Sequence, residues 1–213
     1  MRTKIALLNY GSGNICSLSQ SLKTISVDFE IINSPNQFHD LSCTHLLLPG
    51  VGAFDSCSHL LASSGFDELI VTLQQKGLHP ILGICVGMQM LLDSSDEGSS
   101  KGLSIIPGRC RSLACSGSQI SPHIGWNNLS ISNSSHANFS IFDKISSHHY
   151  FYFVHNYYCD ICNSTDILSV SSCSTVSFAS AICNSLTFGV QFHPEKSHNS
   201  GLQLFLNFAN LTC

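Results

Sequence analysis

Pro80-Ile81-Leu82-Gly83-Ile84-Cys85-Val86-Gly87-Met88-Gln89 is the stretch from which the rest of the chain can be read. Pro80–Ile84 has the length and composition of a buried strand, and Gly87–Leu92 begins a helical pattern directly after it. Gly83 and Gly87 stand two residues to either side of Cys85. Strand, Gly-x-Cys-x-Gly and helix, in that order, match the Gly-x-Ser-x-Gly elbow, a sharp turn that exposes a nucleophile at the C-terminal edge of a sheet. The Cys85 sulfur would lie over a helix N-terminus, which favours the thiolate, and the Val86 N–H would be available to an oxyanion. Cysteine is also a common core residue, so a buried structural thiol stays open at this point.

Upstream, apolar strands alternate with helical patterns, which predicts a parallel α/β architecture. Lys4–Asn9, Val27–Ile32 and His45–Leu48 read as strands. Asn14 is placed to cap a helix carrying Ile15, Leu18, Leu22 and Ile25, and Phe66–Gln75 reads as a second helix. Downstream, Asp93–Ser121 is polar and reads as loops around one short strand. Tyr150–Val154, Ile167–Ser171, Ser177–Ile182 and Leu186–Phe192 are strand-like, and His198–Asn210 is a closing helix. The 213 residues contain no repeat and no linker, so one domain over 1–213 is expected.

A cysteine nucleophile acting on an amide needs a base, and the base needs an orienting partner. Val190-Gln191-Phe192-His193-Pro194-Glu195-Lys196-Ser197 offers both. Pro194 stops the strand ending at Phe192, which leaves His193 at a strand terminus, where parallel α/β folds place their chemistry. Glu195 can reach back to one ring nitrogen. A surface turn with an unrelated His and Glu is the alternative for this segment alone.

Composition excludes several classes. Nine basic against thirteen acidic side chains give a net charge of -4, no footprint for nucleic acid or an anionic membrane. No segment approaches the roughly 18 apolar residues of a membrane span, and the N-terminal apolar run is too short for a signal peptide. Eleven unevenly spaced cysteines fit reduced thiols in a cytoplasmic protein better than a disulfide framework. On that reading the sequons at Asn128, Asn133, Asn138, Asn163 and Asn210 reflect a Ser- and Asn-rich composition.

Gly83-Ile84-Cys85-Val86-Gly87-Met88-Gln89 and Gly189-Val190-Gln191-Phe192-His193-Pro194-Glu195 resemble the two signatures of the class I, triad-type glutamine amidotransferases. Further motifs are similar to the branch formed by the glutaminase subunits of imidazole glycerol phosphate synthase. They are Asn9-Tyr10-Gly11-Ser12-Gly13-Asn14, Leu48-Pro49-Gly50-Val51-Gly52-Ala53-Phe54, Pro122-His123-Ile124-Gly125-Trp126-Asn127 and Tyr152-Phe153-Val154-His155-Asn156-Tyr157-Tyr158. Anthranilate-type relatives usually carry His where this chain has Met88, and they lack the Pro-His-x-Gly-Trp-Asn block.

The resemblance implies a mostly parallel sheet flanked by helices, with added antiparallel strands in the second half. It implies that Cys85 forms a glutamyl thioester, that His193 shuttles protons and that Glu195 orients it. Gly50, Val51 and Gly52 would form an oxyanion strand, with Gly52 and Val86 supplying N–H groups, and Gln89 would help hold glutamine. The partner implied is a (β/α)8 cyclase that receives ammonia through a tunnel, with Asn14, Trp126 and Lys196 at the interface; no cofactor or metal is implied. Asn9 replaces the family's usual Asp and Val86 its usual Leu, and neither touches the triad. The rival readings are a glutaminase feeding a different synthase and a non-catalytic chain that only docks a partner.

Three weaker signals are set aside. Gly11-Ser12-Gly13 lacks the remaining features of a phosphate-binding loop. Cys159-Asp160-Ile161-Cys162 has no second Cys pair to complete a zinc site. The Ser/Asn-rich run Asn127–Ser140 reads as a solvated loop.

Overall fold

The computed structural model describes residues 3–132 and 141–211. Its first half runs β1 (Ile5–Leu8), α1 (Ile15–Thr24), β2 (Phe29–Ile32), α2 (Asn36–Asp40), β3 (His45–Leu48), α3 (Phe54–Ser64), α4 (Phe66–Lys76), β4 (Ile81–Ile84) and α5 (Val86–Gln89). The strand-rich part follows: β5 (Ser94–Ser95), β6 (Gly108–Ser112), β7 (His123–Asn128), β8 (Ser130–Ile131), β9 (Tyr150–His155) and β10 (Tyr157–Ile161). It closes with β11 (Ile167–Cys173), β12 (Val176–Asn184), β13 (Thr187–Val190) and α6 (His198–Ala209).

β1, β3, β4 and β13 are buried at every position, as strands covered on both faces must be. They belong to a parallel run in the order β2-β1-β3-β4-β13. The sheet continues antiparallel through β12, β10 and β6. β7 and β9 form a separate antiparallel pair, in register from His123 opposite His155 to Asn128 opposite Tyr150. An α/β domain with a mostly parallel sheet and added antiparallel strands is thus the observed architecture.

Three local expectations are corrected. α3 went unread because its buried residues, Phe54, Cys57 and Leu61, are separated by Asp, Ser and His. The helix after Cys85 stops at Gln89 rather than Leu92. Beyond it the Met90 carbonyl accepts from Leu103 N–H, and the Leu91 carbonyl from Ile105 and Ile106, so these groups serve a neighbouring loop. The Ser/Asn-rich run is partly strand: Asn127 and Asn128 end β7, and Ser130–Ile131 pairs with Val170 and Ser169. Its remainder, 133–140, lies outside the described residues.

Candidate active site

β4 delivers Cys85 into the backbone conformation φ 54°, ψ −110°, a costly region for a residue with a Cβ. The surroundings hold it there. Cys85 N–H donates to the Val190 carbonyl at 2.8 Å, and the Cys85 carbonyl accepts from Gln89 N–H at 3.1 Å. The flanking glycines allow backbone to pack on backbone: a Cβ on Gly87 would run into the Leu48 carbonyl oxygen, and one on Gly83 into the Gly87 carbonyl. The first N–H groups of α5, Val86 among them, have no partner within the helix.

β13 brings His193 to the same edge, since β13 and β4 are hydrogen-bonded neighbours. Pro194 opens a single 3-10 turn, Pro194–Lys196, that folds Glu195 back onto His193. His193 Nδ1 lies 2.8 Å from Glu195 Oε1, with the two side chains 4% and 2% exposed. His193 N–H donates to the Tyr152 carbonyl at 2.8 Å, and Ser197 Oγ donates to the His193 carbonyl at 2.6 Å. Cys85 and His193 line the same cavity, close enough to interact electrostatically. Burial disfavours the charged form of His193, but the interactions with Cys85 and Glu195 outweigh burial and push it up to about 10. The cluster therefore favours an imidazolium beside the sulfur.

Cys85 and His193 open into a cavity of about 350 Å³, within the range of small-ligand sites. Val51, Gly52, Val86, Gln89 and Lys196 line it with them. Gly50 does not; it sits behind, where a Cβ would strike Gly87 N. The Val51 N–H is given to Ser12 Oγ at 3.0 Å, and Ser12 Oγ donates to the Val51 carbonyl at 2.8 Å, so that N–H is already engaged. Tyr10 Oη donates to the Pro49 carbonyl at 2.6 Å. The glycine-rich first turn thus clamps the loop after β3. Gln89 gives both amide hydrogens away, to the Tyr157 carbonyl and to Gln191 Oε1, each at 3.2 Å. Its oxygen is what it can offer a ligand.

The three expected interface residues separate. Asn14 is a helix cap, its side chain accepting from Ser17 N–H at 3.2 Å. Trp126 is 47% exposed on β7 and stacks on the His198 ring, centroids 5.1 Å apart. Lys196 stands at the cavity with Nζ 5.7 Å from the Tyr152 ring centroid. Gln191 does not stand out as a site residue in the sequence, and His155 does so only as a neighbour of the discounted Cys159 and Cys162 pair. Gln191 is fully buried and donates to Cys85 Sγ at 3.7 Å, and His155 lines the cavity. A Gln inside an otherwise apolar strand end was the available signal. Cys159 is buried opposite Cys110 and Cys162 is exposed, so that Cys pair does not share an environment. Among the described residues no helix is long and apolar enough to cross a membrane.

A family model described as glutamine amidotransferase class-I matches residues 6–210. Curated relatives include the imidazole glycerol phosphate synthase subunit HisH of Chlorobium luteolum, 37% identical over 96% of this chain and 98% of that one. The protein of the same name from Bdellovibrio bacteriovorus is 37% identical over 97% of this chain and 100% of its own. Among solved structures, PurLQS from Thermotoga maritima aligns with a TM-score of 0.74 at 16% identity, covering 99% of each chain. The glutaminase domain of Trypanosoma brucei CTPS aligns with a TM-score of 0.59 at 16% identity, covering 99% of this chain and 95% of that one. These two likenesses concern the fold. By the family match and by its curated relatives, the chain belongs to the class-I glutamine amidotransferases and, within them, to the HisH subunits.

Proposed function

We propose that this chain hydrolyses glutamine to glutamate and ammonia and passes the ammonia to the cyclase subunit of imidazole glycerol phosphate synthase, in the cytoplasm. The observation carrying the chemistry is the 2.8 Å bond from His193 Nδ1 to Glu195 Oε1, made beside a cysteine held at a strained elbow. With Nδ1 committed to Glu195, Nε2 is the nitrogen left for the sulfur. The thiolate of Cys85 attacks the side-chain amide carbon of glutamine. Backbone N–H groups of Gly52 and Val86 receive the oxyanion, and the His193 imidazolium protonates the departing ammonia. Water, deprotonated by the now neutral His193, then cleaves the thioester, glutamate leaves, and the thiolate and imidazolium are restored. Glu195 holds the ring in one tautomer and stabilises its charge. Gln89, with both N–H groups engaged, presents an acceptor suited to the α-ammonium group of an amino acid.

The partner assignment draws on the HisH relatives and on an apolar outer face of the β7–β9 pair. Ile124, Trp126 and Tyr150 are 58%, 47% and 55% exposed there. The test is glutamate release measured with and without the cyclase, beside Cys85→Ala and His193→Asn. Release should depend on the partner, vanish in Cys85→Ala, and fall by about three orders of magnitude in His193→Asn with complex formation retained. Equal turnover by wild type and Cys85→Ala would end the catalytic assignment.

A further inference from the structure

A second polar system crosses the cavity wall and meets the Cys85–His193–Glu195 cluster at the sulfur. It starts on β7, where Asn127 Nδ2 donates to the Ser172 carbonyl at 2.9 Å and lies 3.4 Å from His123 Nε2. His123 Nδ1 is 2.9 Å from His155 Nε2, and His155 Nδ1 is 2.8 Å from the Tyr157 carbonyl. That carbonyl accepts from Gln89 as well, and Gln89 leads through Gln191 to the Cys85 sulfur. A continuous hydrogen-bonded chain thus joins an exposed strand to the nucleophile.

Hydrogen-bond polarity sets the tautomers. A carbonyl only accepts, so His155 carries its proton on Nδ1, and a neutral ring then has an acceptor at Nε2. His123 must therefore donate from Nδ1, which leaves its Nε2 to accept from Asn127. The two rings are 8% and 6% exposed and pack with Phe153 and Phe178. Burial drives both towards the neutral form; it pushes His155, next to His123 and His193, down to about 3, and lowers His123. A pair of mutually satisfied core histidines would be the plain interpretation. It does not account for where the chain ends: His155 lines the cavity, and the carbonyl it grips is the one that orients Gln89.

We propose, resting on the glutaminase reading above, that His123, His155 and Gln191 are positioning residues that hold the Gln89 amide with its oxygen towards the α-ammonium group of glutamine. Without this chain the Gln89 amide could rotate and present N–H groups, which would repel an ammonium ion. The outer end of the chain lies one residue from Trp126, so the strand assigned to partner docking also anchors the substrate-orienting amide.

The test is steady-state glutaminase kinetics, in complex with the cyclase, of His123→Phe and His123→Asn. His123 does not line the cavity. Phe fills the ring volume beside Phe153 and Phe178 but donates nothing, whereas Asn keeps an N–H near the place of Nδ1. His123→Phe should raise KM for glutamine about tenfold with kcat changed far less, and His123→Asn should recover most of that loss. An unchanged KM in His123→Phe, or equal losses in both variants, overturns the proposal while wild-type glutamate release still stands. Absence of release by wild type sinks the glutaminase reading instead. A nitrogen-15 tautomer spectrum of the unmodified protein at neutral pH needs no variant: His123 and His155 should both be neutral with the proton on Nδ1, and an Nε2–H ring or an imidazolium at either position refutes the chain.

Discussion

His193 and Glu195 face each other at 2.8 Å across one turn opened by Pro194, with scarcely any solvent at either side chain. Glu195 is one of the groups that keep the imidazolium charged, alongside the Cys85 sulfur. In the proposed mechanism the charged ring protonates departing ammonia, so activity should be present below the His193 pKa and be lost as pH rises through it. Glu195→Gln removes the carboxylate charge, so it lowers that pKa and moves the alkaline limb of kcat/KM to lower pH. Its turnover at neutral pH should fall by about two orders of magnitude or more. Profiles of wild type and variant over the alkaline range decide it: a limb that does not move would assign the proton to another group.

Cys85 occupies φ 54°, ψ −110°, and bears this strain where only glycine would be comfortable. Cys85→Ala keeps the strain and removes the sulfur; Cys85→Gly removes both. Both should be inactive, yet Cys85→Gly should be the more stable of the two by about 1–3 kcal/mol in denaturant unfolding. Equal stability would mean that the elbow stores no backbone strain.

The sheet was legible where the physics is local. Ile5–Leu8, Leu46-Leu47-Leu48 and Ile81–Ile84 are continuous runs without a polar side chain that demand cover on both faces, and glycines around Cys85 report a close approach of backbone even before its partner is known. α3 was hidden because Cys57 and Leu61 lie among Ser, Asp and His, whose polarity blurs the helical period. The bonds that shape the cavity could not be read at all. Ser12 reaches Val51 from 39 residues away, and Gln89 reaches Gln191 across 102. No local pattern encodes which buried amide meets which carbonyl; that is settled only when β13 is laid beside β4.

His45, at the start of β3, is 3% exposed and bonds through Nε2 to the Leu211 carbonyl at 3.1 Å and through Nδ1 to Thr44 Oγ1 at 2.9 Å. Burial, with a small contribution from His79, pushes it from 6.5 down to about 4. The unfolded chain then binds the extra proton between those values, so stability is full above pH 6.5 and declines as pH falls towards 4. Between pH 7 and pH 5 His45 should account for about 2 kcal/mol of lost stability. His45→Gln, which keeps a donor for Leu211, should show a shallower acid decline in urea titrations. A parallel decline in both proteins would place the sensitivity elsewhere, with His123 and His155 the next groups to replace.

Asn14 and Trp126 share an expected place at the partner interface, yet their contacts differ in kind. Asn14 uses its side-chain oxygen to cap α1, a local bond whose loss costs about 1 kcal/mol of stability. Trp126 stands out from β7, level with Tyr152 on β9 and stacked on His198, and contributes an exposed aromatic face. Large aromatics on such faces carry a disproportionate share of association energy. Asn14→Ala should therefore lower the unfolding free energy and leave cyclase affinity within a factor of about 3, whereas Trp126→Ala should weaken affinity by about 10-fold to 100-fold at nearly unchanged stability. Calorimetric titration with the cyclase and thermal melts of the free chain separate the two effects. An affinity loss in Asn14→Ala as large as that in Trp126→Ala would show that the cap region also meets the partner, and a stability loss confined to Trp126→Ala would make the indole part of the fold rather than of the interface.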